Sequence, residues 1–218
     1  MGKLGNITEK IPLLGLGAMR LPTNSADVTD IDFDQVFKMV DTYLENGFTY
    51  FDTAYNYHGG KSEGAVKKAL VERYPREAFL LADKMPAFMI TKTEQFEPIF
   101  QEQLARCGVE YFDFYMLHSL GKEKIEEMER IGGFDYLKKL KAEGKIRYMG
   151  FSFHDEPEVL IEAIDRHPEL DFVQLQINYV DWEFQRAEVM YKACRERNLP
   201  IVIMEPVKGG ALAGFPEA

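Results

Sequence analysis

FDFYMLH occupies residues 112–118. A short, aromatic-rich apolar run of this kind reads as a strand buried on both faces, as in a parallel sheet covered by helices. Six more such runs flank it: LLGLGAM from Leu13, YFDT from Tyr50, FLLADK from Phe79, IRYMGFS from Ile146, FVQLQIN from Phe172 and IVIMEP from Ile201. Their starts differ by 37, 29, 33, 34, 26 and 29 residues, an even beat of about 31. Helical patterns lie between them. Phe33, Val36, Phe37, Val40 and Leu44 share one stripe, and a helix spanning Val159–Ile164 is expected to open at Asp155 with Pro157 in its first turn. Gly47 and Gly144 follow helical segments, where a left-handed cap favours glycine.

This alternation requires right-handed crossovers and a parallel sheet, either open and doubly wound or closed as a barrel. Gly15-Leu16-Gly17 is followed by Ala18-Met19-Arg20, without the third glycine of an open dinucleotide fold, so a barrel is favoured. The fold class expected is therefore α/β, a parallel (β/α)8 TIM-type barrel forming a single domain over residues 1–218. An eighth run would fall near residue ~230 by the same beat. The barrel is thus expected to be incomplete, with about seven β/α units and the eighth strand missing. The polar stretch KLGNITEKI (residues 3–11) reads as a short N-terminal hairpin.

Composition bounds the partners. With 26 basic and 36 acidic residues the net charge is −10, which argues against a nucleic-acid groove or an anionic membrane surface. The two cysteines, Cys107 and Cys194, are far apart and lack metal-ligand spacing. No apolar run approaches the ~18 residues of a membrane span, and the first residues do not resemble a signal peptide. A cytoplasmic protein without a metal site is expected.

Active sites of parallel barrels lie at the C-terminal ends of the strands. The second run ends in Asp52, with Tyr57 five residues on in a loop; the third ends in Lys84 and the fourth in His118. Taken singly, Asp52 reads equally as a turn cap, Lys84 as a solvated charge and His118 as a core imidazole. Their joint placement at three successive strand ends disfavours that reading. In order and interval these four residues, with FDTAYNYHGGKSEGAVKKAL (residues 51–70) and FDFYMLH, resemble the aldo-keto reductase family over essentially the whole chain.

The resemblance implies a nicotinamide-dependent reductase of aldehydes or ketones, with Asp52, Tyr57, Lys84 and His118 as the catalytic set. The chemistry agrees with these residue types. Carbonyl reduction needs a hydride donor and a proton donor within hydrogen-bond reach of the oxygen. A free tyrosine has a pKa of about 10, and an ammonium about 4 Å away is worth roughly 4 kcal/mol at an effective dielectric near 20. Lys84 is therefore expected to lower the Tyr57 pKa by about 1–3. Asp52 would hold Lys84 charged, and His118 would orient the substrate oxygen.

Gln174, Gln176 and Asn178 alternate and share one face of the sixth strand, where amides need partners: a nicotinamide carboxamide, or bridging water. By resemblance Ser152 and Gln174 contact the nicotinamide, and Gly17, Ala18 and Met19 border the pyrophosphate path. EPVKGG (residues 205–210) resembles the family loop whose Lys208 and Gly209 and Gly210 amides meet a phosphate. NADP(H) is expected ahead of NAD(H), and a small carbonyl compound as substrate.

Two residues depart from the common pattern: Met204 stands where many members have an aromatic, and Phe153 where many have asparagine. Both departures are similar to the bacterial branch whose longer members carry a C-terminal iron–sulfur segment, although residues 1–218 contain no such cysteine run and no cluster is expected in them. Open barrel edges would favour self-association. The alternative readings are an inactive truncated fragment and a nucleotide-binding interaction protein.

Overall fold

The seven apolar runs become seven parallel strands: β1 (Gly15–Gly17), β2 (Tyr50–Asp52), β3 (Leu80–Met85), β4 (Phe112–Leu120), β5 (Ile146–Phe153), β6 (Phe172–Gln176) and β7 (Ile201–Met204). The computed structural model describes Ile7 and residues 11–214, so the hairpin expected over residues 3–11 lies outside the described residues apart from Ile7 and Ile11. Each strand pairs with its sequence neighbour in the order β1 to β7. Among the described residues neither β1 nor β7 has a second strand partner.

The sheet is strongly curled. In a flat sheet, strands about 4.8 Å apart would separate β2 from β6 by about 19 Å and β1 from β7 by about 29 Å. Instead the Gln174 amide on β6 donates to Asp52 on β2 at 3.0 Å, and Arg20, just after β1, donates to Glu205, just after β7, at 2.6 Å. The Phe114 ring on β4 likewise meets Tyr50 of β2 and Phe172 of β6, each at 5.2 Å, and Tyr148 of β5 at 5.0 Å. Seven parallel strands curled in this way make an incomplete (β/α)8 barrel, the alternative favoured by the missing third glycine after Gly17.

Alternation along the strands sorts the side chains. Tyr50, Leu80, Ala82, Phe114, Met116, Tyr148 and Phe172 form an apolar cluster inside the curl. Gly150 faces the same interior, where an added Cβ would stand 2.5 Å from the Phe172 carbonyl oxygen and 2.9 Å from its ring. Above this cluster, two residues further along their strands, come Asp52, Lys84, His118, Ser152 and Gln174. Alternate positions such as Phe51, Leu81, Tyr115 and Phe151 face outward into the larger core beneath the helices.

Those helices are α1 (Phe33–Glu45), α2 (Ser62–Val66, continuing into a π-helical turn over Lys67–Val71), α3 (Phe96–Cys107), α4 (Lys122–Arg130), α5 (Gly133–Ala142), α6 (Pro157–Arg166), α7 (Asp181–Phe184) and α8 (Ala187–Glu196). The predicted stripe of α1 packs as expected. Val36 and Val40 are buried, Phe33, Phe37 and Leu44 lie against the core, and the Asp32 carboxylate caps the Gln35 amide at 3.0 Å. Gly47 and Gly144 have φ of 79° and 71°, the left-handed geometry predicted for helix ends.

The expected opening of α6 needs correction. Glu156 occupies the cap position and Pro157 follows it. Asp155 instead accepts from the Lys122 amide at 2.8 Å, satisfying the start of α4. Cys107 and Cys194 are both buried and free; burial pushes both thiols up, that of Cys194 to about 12. Among the described residues no helix is long and apolar enough to cross a membrane.

Candidate active site

The polar layer at the strand ends centres on Lys84. Its side chain is 1% exposed, and its ammonium donates to the Asp52 carboxylate and to the Thr53 carbonyl at 2.9 Å. Burial works most strongly against the charge, but Asp52 and Tyr57 together outweigh it and the ammonium is held above its ordinary range. Gln174 donates to the second Asp52 oxygen, so both carboxylate oxygens are engaged and the pair is fixed from across the curl.

Tyr57 lies in the loop after β2, with the Lys84 ammonium 4.8 Å from its ring centre. His118 meets the Tyr57 ring edge-on at 5.7 Å, and Phe88, from the loop after β3, meets His118 at 5.8 Å. The structure therefore brings Asp52, Tyr57, Lys84 and His118 to one rim.

The expected direction of the Tyr57 pKa is corrected. Burial pushes the phenol up, the Lys84 ammonium pulls it down, and burial wins, leaving the phenol above its ordinary value. The ammonium does act on it: it lies 4.8 Å from the ring centre, and its charge is the strongest influence lowering the phenol. Asp52 and Asp83 also push the phenol up, so the ammonium is partly neutralised as seen from the ring.

His118 is buried, and burial, the Lys84 charge and the nearby His154 depress its imidazole to about 3. It is neutral across the physiological range. Between 6.5 and about 3 the unfolded chain binds a proton at this position that the folded one does not, so the sign is a loss of stability as pH falls through that window. The wild type is expected to lose up to roughly 1.4 kcal/mol per pH unit there relative to His118→Phe. Urea unfolding at neutral pH and near the middle of the window checks this, and parallel losses in both proteins would contradict it.

The residues expected to hold a cofactor line the same rim from β5 round to β1. Ser152 is buried, and its hydroxyl oxygen accepts from the Ser119 amide at 2.7 Å, leaving its hydrogen to donate. Gln174 has spent an amide hydrogen on Asp52, and its carbonyl oxygen remains an acceptor. Gly17 and Met19 are exposed on the rim while Ala18 is buried, and a Cβ on Gly17 would meet nothing within 4 Å.

Lys208, expected by resemblance to meet a phosphate, is engaged within the protein. Its ammonium donates to the fully buried Asp181 at 2.5 Å, and the Gly210 amide donates to the Val207 carbonyl at 2.9 Å. Gln176 and Asn178 converge on the other Asp181 oxygen, at 2.8 and 2.6 Å, so these amides serve the protein itself. Met204 ends β7 half-buried, and Phe153 ends β5 packed edge-on against Phe151 at 6.2 Å.

Behind Lys84 lies a group that sequence reasoning passed over. Glu63, Asp83 and Cys107 are buried together, close enough for their ligand atoms to share an ion. Glu63 is instead met by Gln103 and Arg106 at 3.0 Å each, and Asp83 accepts from the Lys84 amide at 2.8 Å. Burial and the nearby Glu63 charge push the Asp83 carboxyl well above its ordinary range. Gln103 also donates to the Lys84 carbonyl at 3.0 Å, so this network grips the lysine backbone on both sides. The signal available was alternation: an aspartate beside Lys84 must face the helices.

Comparison with known proteins bears on the whole chain. The sequence pattern of the Aldo/keto reductase family matches residues 13–217. A soybean (Glycine max) protein named "Probable aldo-keto reductase 1" is 31% identical over 97% of this chain and 60% of its own length. "Aldo-keto reductase yakc [NADP(+)]" of Schizosaccharomyces pombe is 29% identical over 99% of this chain and 65% of its own. The chain thus spans less than two thirds of the length of either relative. The holo form of aldo-keto reductase AKR11C1 from Bacillus halodurans superimposes with a TM-score of 0.77 at 26% identity, covering 100% of this chain and 70% of that one.

Proposed function

We propose that this chain, which belongs to the aldo/keto reductase family, reduces aldehydes or ketones to alcohols, with Tyr57 giving the proton. The observation that carries the proposal is the buried Lys84 ammonium, fixed by Asp52 and held 4.8 Å from the Tyr57 ring beside a neutral His118. A buried charge whose partner comes from a different strand and which lies beside a titratable phenol is the kind of perturbed group that marks a functional site.

A nicotinamide cofactor fits the rim. The Ser152 hydroxyl hydrogen and the Gln174 carbonyl are a donor and an acceptor matching a carboxamide, and the open backbone at Gly17 admits a close approach. Ser152, Gln174, Gly17, Ala18 and Met19 would hold it. Lys208, Gly209 and Gly210 would line the phosphates once Asp181 has fixed their loop. When bound, the cofactor supplies the hydride. We assign NADP(H), the cofactor in the name of the Schizosaccharomyces pombe relative.

The chain's own residues do the rest. His118, neutral, donates an N–H to the carbonyl oxygen and aims it at the Tyr57 hydroxyl. Tyr57 passes its proton to that oxygen as negative charge gathers there, and Lys84 stabilises the phenolate left behind. Asp52 keeps the ammonium charged and stationary. In the reverse direction the phenolate takes the proton from an alcohol. The buried free thiols fit a reducing, cytoplasmic setting.

Purified protein with NADPH and a panel of aromatic and aliphatic aldehydes is expected to turn over, and more slowly with NADH. No turnover with either would sink the proposal. The pH dependence follows from the raised phenol. Alcohol oxidation needs the phenolate, so its rate is expected to keep rising with pH past about 10, while carbonyl reduction stays level through neutrality. An oxidation rate that plateaus near neutrality would contradict this assignment.

A further inference from the structure

His58 directly follows Tyr57 and has φ 52° and ψ 43°, left-handed geometry that costs any residue with a Cβ more than it costs glycine. Glycines occupy the next two positions, so a histidine here calls for a reason in its side chain. The ring is 8% exposed and satisfied at both nitrogens. The Leu21 amide donates to Nε2 at 2.8 Å, and Nδ1 lies 2.5 Å from the Val28 carbonyl oxygen. An N–H arriving at Nε2 requires a lone pair there, so the proton sits on Nδ1 and donates to Val28.

These two bonds join the loop that carries Tyr57 to the segment running from β1 towards α1. The same two segments meet again one helical turn away: the Ser62 hydroxyl donates to the Ala18 carbonyl at 3.0 Å and pairs with the Thr53 hydroxyl at 2.8 Å. Gly59 lies close against Thr29, where a Cβ would stand 2.9 Å from its methyl. The Tyr57 loop is therefore held at its root by Thr53 and Ser62 and at its tip by His58. The tip contact is made by the residue next to Tyr57 in the chain.

We infer that His58 is a positioning residue for proton transfer: as the Nδ1-protonated tautomer it clamps the Leu21–Val28 segment and thereby sets where the Tyr57 hydroxyl points. This inference rests on the reading of Tyr57 as proton donor and adds to it a residue whose ring nitrogens are both taken by main-chain groups of the protein.

The test uses the full chain. Long-range nitrogen–proton NMR of the wild type is expected to show His58 protonated on Nδ1, and a ring protonated on Nε2 would overturn the clamp. His58→Gly keeps the left-handed backbone and removes only the ring; His58→Asn tolerates the same backbone with a shorter polar group, and covers the case in which the glycine variant folds poorly. In either variant the Leu21 amide is expected to exchange with solvent at least about tenfold faster. Its kcat is expected to fall about 10–100-fold, with the aldehyde KM moving less than about threefold. The isotope effect on kcat with deuterated NADPH is expected to rise, because a misplaced phenol slows the chemical step. A purely structural role would reduce the amount of active protein and leave that isotope effect unchanged. Loss of activity in Tyr57→Phe with an unaltered kcat in both His58 variants would overturn this inference alone. Full activity in Tyr57→Phe would overturn the reading of Tyr57 and the inference with it.

Discussion

Phenylalanine at position 57 is expected to cut NADPH-dependent aldehyde reduction by about 10²–10⁴-fold, the range for losing a positioned general acid. The substitution is narrow. Phenylalanine keeps the ring that lies 4.8 Å from the Lys84 ammonium and 5.7 Å from His118, so both contacts survive and only the hydroxyl is lost. Folding stability is therefore expected to change by less than about 1 kcal/mol. Cofactor affinity, followed by fluorescence quenching, should be unaltered. Residual turnover within about tenfold of the wild type would mean that another group, or water, supplies the proton.

The second large effect separates charge from function at Lys84. Asp52→Ala leaves the ammonium buried, with the Thr53 carbonyl as its partner, and strands the Gln174 amide. Removing one member of a buried pair typically costs about 3–5 kcal/mol. Lys84→Met removes the charge and keeps much of the volume. Asp52, with 13% of its side chain exposed and a bond from Gln174, tolerates the loss better. The methionine variant is thus expected to stay within about 1–2 kcal/mol of the wild type while losing turnover as fully as Tyr57→Phe. Denaturant unfolding of both variants checks the contrast, and equal destabilisation would contradict it. The folded pKa of Lys84 is raised, so its contribution to stability is fully present below its ordinary value and is lost as pH rises through the folded value. The gap between wild type and Lys84→Met should narrow only in strong alkali.

The strands were legible because a parallel sheet covered by helices is buried on both faces, and five of the seven begin on the residue where their apolar run begins. Closure was less so. Spacing fits an open sheet as well as a curled one, and what distinguishes them are contacts such as Gln174 with Asp52, 122 residues apart. The rule that parallel-barrel sites lie at the C-terminal ends of strands sufficed to bring Asp52, Lys84 and His118 to one rim. It could not show what else would claim those side chains: Asp181 takes Lys208, and Asp52 takes an amide hydrogen of Gln174. The direction of the Tyr57 shift failed for a similar reason. Attraction to Lys84 could be anticipated from the pattern, whereas the depth of burial that outweighs it is a property of the assembled rim. His58 lies within the quoted stretch 51–70, but nothing there singles it out, because its role depends on a backbone angle and on two main-chain partners 30 and 37 residues away.

What everything at this rim turns on is whether the phenol and the ammonium sense one another. Tyrosine labelled with carbon-13 at the ring carbon bearing the hydroxyl allows Tyr57 to be titrated by NMR in the wild type and in Lys84→Met. Tyr57 is expected to titrate above the ordinary tyrosine value in the wild type and higher still once the ammonium is gone. Superimposable titration curves in the two proteins would contradict the electrostatic coupling and, with it, the assignment of Tyr57 as the proton donor.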